Sequence, residues 1–164
     1  MLLRVSFGDN PESLQEIRAW LTRRMVKILW ADIMHAMEVQ VLLDNPEAAN
    51  ARADIVSMKH QDTVNKSRSR GDYDLPFSPK ITGFPLGEQP VLLTQAPIYV
   101  VAKQTPRINF ITSAKTSFEL AFTPAMLHGL CTLLQDTVKL AAWHIELNLP
   151  GLPAEEMNEN RILN

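Results

Sequence analysis

A single cysteine, Cys131, stands among 164 residues, so no internal disulfide can hold the chain together. The six glycines are scattered and form no phosphate-cradling loop. There is no Cys-x-x-Cys, no His-Glu-x-x-His and no Gly-x-Ser-x-Gly, which removes the most compact signatures of redox, zinc and serine-nucleophile chemistry. No apolar run approaches the roughly 18 residues of a membrane-spanning helix. Neither sign of charge dominates: a formal net charge of −2 argues against a partner recognised by the field of the whole surface. Met1-Leu2-Leu3-Arg4 is too short for a secretory leader, and with one cysteine the expectation is a cytoplasmic protein without membrane or cofactor.

What remains is ordinary for a globular chain, with 46% hydrophobic and 21% charged residues. The length suits a single α+β domain over residues 1–150, followed by an acidic tail at 151–164 that carries Glu155, Glu156 and Glu159.

The clearest pattern lies at 98–122. Ile98, Val100 and Ala102, then Ile108, Phe110 and Thr112, then Phe118, Leu120 and Phe122 each alternate with their neighbours. Period two marks strands with one buried face, and the short polar connections predict an antiparallel meander. Thr123-Pro124 supplies an N-cap hydroxyl and a first-turn proline. The spacing of Met126, Leu127, Leu130, Leu134 and Val138 then predicts a C-terminal helix at about 124–142. Further strands are expected at 2–7, where Leu3, Val5 and Phe7 alternate, and at 91–95.

Asn10-Pro11-Glu12 reads as a helix start, and Leu14, Ile17, Leu21, Met25, Ile28, Ala31, His35, Val39 and Leu42 follow in steps of three and four. The expectation is one long N-terminal helix from Pro11, with the stretch 37–43 open to a strand reading through Val39, Val41 and Leu43. Asp44-Asn45-Pro46-Glu47 repeats the tetrapeptide of residues 9–12 and predicts a second helix over about 46–60. Residues 61–90, polar and then proline-rich, predict an exposed mobile connection pinned by Leu75, Phe77, Ile81 and Phe84.

Three side-chain clusters could carry chemistry. Asp32, His35 and Glu38 sit three residues apart, but a buried or paired histidine fits this spacing better than a metal site. His128 and Cys131 have the spacing of a base and a thiol, although a small core-filling cysteine fits the apolar stripe better. Basic residues gather at Arg23, Arg24 and Lys27 and again at Lys66, Arg68 and Arg70, which supports a nucleic-acid-binding regulator as the alternative function.

The favoured expectation is a non-catalytic binding or assembly protein. Trp20, Leu29, Trp30, Ile33 and Met37 fall off the main stripe of the long helix, and Trp143 lies on a polar stripe of the last one. Apolar residues on more than one face call for a second partner surface, so a homodimer through the N-terminal helix is expected.

Overall fold

The computed structural model describes residues 1–10, 12–70 and 80–151, with the side chains of Arg68 and Arg70 excepted. The fold is α+β: a seven-stranded mixed sheet, mostly antiparallel, combined with α-helices. In chain order the elements are β1 (Leu2–Phe7), β2 (Leu14–Trp20), α1 (Arg23–Asp44), a 3₁₀ turn (Pro46–Ala51) and α2 (Arg52–Arg70). There follow β3 (Ile81–Gly83), β4 (Val91–Gln95), β5 (Ile98–Tyr99), β6 (Arg107–Thr112), β7 (Ser117–Ala121) and α3 (Pro124–Leu140).

The expected meander is present as β5, β6 and β7, joined antiparallel, with Phe110 opposite and stacked on Phe118. Its first strand stops at Tyr99, however: Val100 is only half-buried and Ala102 is exposed in the turn that leads to β6. Strands also form at Leu2–Phe7 and Val91–Gln95. Thr123 caps α3 by accepting the Met126 N–H, as its sequence position implied. β3 and β4 share the side of β2 opposite β1, both parallel to it. β4 and β5 share the side of β6 opposite β7. β1 and β7 are therefore the two outer edges of the sheet.

The N-terminal helix starts later than Asn10-Pro11-Glu12 suggests. Asn10 accepts the Glu12 N–H on its side chain and the Ser13 N–H on its carbonyl, so this stretch makes a turn into β2. Ile17, Ala19 and Leu21 turn inward, whereas Glu16, Arg18 and Trp20 face outward, and β2 pairs with β1 from Gln15 to Trp20. The steps of three and four across 14–21 are a coincidence of Leu14, Ile17 and Leu21. True helix begins after Thr22, whose hydroxyl accepts the Met25 N–H, and runs unbroken through 37–43 to Asp44.

The second helix is longer than expected, because α2 continues to Arg70 and takes in residues 61–70 of the predicted mobile connection. Leu75 and Phe77 lie outside the described residues, as does the tail from Leu152. Ile81 enters β3, and Phe84 is held under the Arg18 guanidinium, 4.4 Å from its ring centre.

The core lies between the sheet and α1. Val26, Leu29, Ile33, Leu93, Ile108, Phe110, Cys131 and Leu134 lie at its centre, almost without access to water. After α3 the chain turns through Ala142 and His144, both with positive φ, and runs back as an extended segment. Leu147 and Leu149 are buried in the core, the Gln135 amide of α3 donates to the Leu147 carbonyl at 2.7 Å, and the Trp30 indole N–H of α1 donates to the Asn148 carbonyl at 3.1 Å. This segment, with α2 and α3, covers the second face of α1.

Candidate interaction site

That cover decides the fate of the expected interface on the N-terminal helix. Leu29, Trp30, Ile33 and Met37 are buried inside one chain and offer nothing to a second subunit. Trp143 is half-buried against the core. Trp20 alone remains open, at 46% exposure, and it sits on β2 instead of a helix. Leu2 and Leu92 flank it in cross-strand register and are also exposed. An apolar row thus crosses the outer face at the β1 end of the sheet.

The two edge strands meet across a groove on the other face. Leu3, Val5 and Phe7 of β1 line one side, Leu120 and Ala121 of β7 the other, and Met126 and Leu130 of α3 form a rim. Leu21, Leu29 and Phe110 make the floor, and the volume is about 400 Å³. Phe7 and Met126 are 39% and 53% exposed. Among the described residues, β1 has no strand partner beyond β2, and β7 none beyond β6.

The register of β1 identifies which backbone groups are open. The Leu21 N–H donates to the Met1 carbonyl at 2.9 Å, and the Met1 ammonium donates to the Leu21 carbonyl at 3.1 Å. Hydrogen-bonded pairs alternate along an antiparallel ladder, so Leu3, Val5 and Phe7 bond to β2. The N–H and C=O of Leu2, Arg4 and Ser6 point away from it.

Beneath this edge lies a buried ion cluster that the sequence did not signal. Glu16 is fully buried and accepts from Arg4 at 2.7 Å and Arg18 at 2.6 Å. Burial alone would raise its carboxyl, but the hydrogen bonds and charges of the two guanidiniums outweigh burial and hold it below the usual carboxylate range. The cluster locks β1 to β2 and leaves the other edge of β1 open.

The remaining clusters do not assemble as catalytic sites. Glu38 turns to Arg52 at 2.9 Å, while Asp32 and His35 are exposed and line a cavity between α1 and β5. No group of three metal-binding side chains occurs among the described residues. Cys131 is inaccessible to water, and burial pushes its thiol up to about 12. His128 is pushed down to about 4, first by burial and then by the charges of His60 and Lys59, which is opposite to what a thiolate–imidazolium pair requires. Its Nδ1 faces Nδ1 of His60 at 3.3 Å instead.

The basic residues are dispersed. Arg23, Arg24 and Lys27 line one open recess with Ile28 and Ile145, where Arg23 donates to the His144 carbonyl at 3.2 Å. Lys66 lies on α2 and is paired with Asp62. The Arg68 and Arg70 side chains lie outside the described residues. No helix among the described residues is long and apolar enough to cross a membrane. Compared with family models, curated proteins and solved structures, the chain matches none of them.

Proposed function

We propose that this chain is a non-catalytic binding and assembly protein of the cytoplasm, and that two copies associate edge to edge through β1. The observation that carries the reading is the open edge of β1, with its outward backbone groups at Leu2, Arg4 and Ser6 above an apolar groove. An antiparallel two-fold centred on Val5 sets Arg4 opposite Ser6 of the second copy as a hydrogen-bonded pair. It sets Leu3 opposite Phe7 on the groove side. Leu3, Val5 and Phe7 of both copies then stay on the groove face, with Leu2 on the opposite one, and a single patch covers itself. Exposed sheet edges are managed by charge, bulges or partners, and β1 carries only one charged side chain, already engaged by Glu16.

Light scattering at micromolar protein is expected to report about twice the 18.5 kDa chain mass. Ser6→Pro removes one outward N–H and leaves the β1–β2 backbone ladder in place, losing only the long 3.5 Å contact of the Ser6 hydroxyl with Glu16, and is expected to give a folded monomer. A wild-type monomer, or a dimer indifferent to Ser6→Pro, would sink the proposal.

A nucleic-acid reading retains one supporting observation, the shared recess of Arg23, Arg24 and Lys27. It requires binding to a duplex or single strand that weakens steeply with salt and is lost in a triple glutamine variant of those residues.

A further inference from the structure

His60 on α2 and His128 on α3 are both buried, at 5% and 4% exposure, and meet edge to face with ring centres 5.3 Å apart. Their Nδ1 atoms are 3.3 Å apart, an arrangement that works when one ring donates an N–H to the lone pair of the other. Two imidazolium rings would instead present two donors and two positive charges to each other, out of reach of solvent. We infer that the His60–His128 contact is an acid-sensitive latch, holding α2 on α3 at neutral pH and releasing α2 when the rings take up protons.

The surroundings set one cation and one carboxylate beside the pair, with the unpartnered Gln40 amide oxygen on the same cavity. On α2 the neighbouring Lys59 adds a cation, and it lines the same small cavity as His128. On α1 the cavity is bordered by Gln40 and Asp44, and the Asp44 carboxylate accepts from the Gln40 amide at 2.9 Å. The Cys131 thiol on α3 stays neutral at pH values below about 12. The returning segment Leu147-Asn148-Leu149-Pro150 carries no titratable side chain.

Burial lowers both rings from the ordinary 6.5, and His128, which also feels His60 and Lys59, falls to about 4. The docked state therefore keeps them neutral, while a released α2 binds protons at the ordinary value. Docking is at full strength above about 6.5 and weakens as pH falls toward about 4. The load falls on a lightly held helix. Among its described side chains, α2 buries only Val56, Ser57 and His60, whereas α3 buries Leu127, His128, Cys131, Leu134 and Val138. Release would uncover the His128 face of α3 together with Met37 and Val41 of α1, which border the same cavity.

Hydrogen exchange on the full chain, corrected for the intrinsic effect of pH, tests the latch. Between about pH 7.5 and about pH 4.5, exchange in the first half of α2 is expected to rise at least about tenfold while β6 and α3 keep their protection. His128→Leu and His60→Gln, each checked for native helix content at neutral pH, are expected to flatten that rise. Unchanged α2 protection, a loss spread evenly over the chain, or the same loss in both variants would overturn the inference. Ring titration of the wild-type histidines by NMR gives an independent reading: a buried pair titrating at the ordinary value would also overturn it.

Discussion

Trp20 and Trp30 stand ten residues apart and serve opposite surfaces. Trp30, on α1, is 6% exposed, with its indole N–H bonded to Asn148 and its ring enclosed by the returning C-terminal segment. Trp20, on β2, is 46% exposed in a row with Leu2 and Leu92, and its chain neighbour Leu21 is almost fully buried. Both residues lie off the apolar stripe read through 14–42, and stripe position alone cannot separate them. The difference comes from what lies above each one. On one face of the sheet α1 packs directly and is itself covered by α2, α3 and the folded-back segment, while among the described residues no helix covers Trp20, Leu2 and Leu92 at the β1 end. Apolar character therefore marks the core in one region and a candidate contact surface in the other.

The contrast can be tested by substitution, and the largest effect is expected at the buried tryptophan. Trp30→Ala should cost about 3–5 kcal/mol in urea unfolding, because it leaves a cavity and strands the Asn148 carbonyl. Next comes Glu16→Ala, which removes the acceptor shared by Arg4 and Arg18 and should cost about 1–3 kcal/mol. Because the Glu16 carboxyl is held below the usual range, its contribution is present above the unfolded-state value and is lost as pH falls through the folded one. Glu16→Gln should accordingly lose less stability than the wild type on acidification.

Gly151→Ala probes the contact of the returning segment with α2. Gly151 has φ of +79°, and a Cβ there would meet Asp54 Oδ1 at 2.5 Å. The cost should be about 1–2 kcal/mol, read again by urea unfolding. The smallest effect is expected at the open site: Trp20→Ala should change monomer stability by no more than about 0.5 kcal/mol. A Trp20→Ala cost as large as that of Trp30→Ala would show that the outer face is covered after all.

The meander and its following helix were legible because each signal there is local. Ile108, Phe110 and Thr112 alternate in sequence and are buried in alternation in space, and Thr123-Pro124 opens α3 as its chemistry implies. The strand at 14–20 was harder to read. Its outward residues include Trp20 and its buried residues include Glu16, so polarity no longer reports the face. Glu16 is covered on the outward face because Arg4 and Arg18 reach over it, and Arg4 comes from the paired strand. The returning segment carried a faint signal in the alternation of Trp143, Ile145 and Leu147. What it covers depends on Trp30, more than a hundred residues earlier in the chain.

The repeated tetrapeptide separates what local sequence decides from what the fold decides. At Asp9-Asn10-Pro11-Glu12 the Ser13 N–H donates to the Asn10 carbonyl, and at Asp44-Asn45-Pro46-Glu47 the Ala48 N–H donates to the Asn45 carbonyl in the same way. Asn favours such a turn through its own local hydrogen bonding, so the sequence determined it in both places. The first turn leads into β2 and the second into a 3₁₀ turn and α2. That choice belongs to the tertiary structure. A strand is completed only by a neighbour from elsewhere in the chain, here β1, β3 and β4, whereas a helix closes its hydrogen bonds within itself. The same dependence on distant partners decided that α1 would be enclosed and that the outward edge of β1 would be left open.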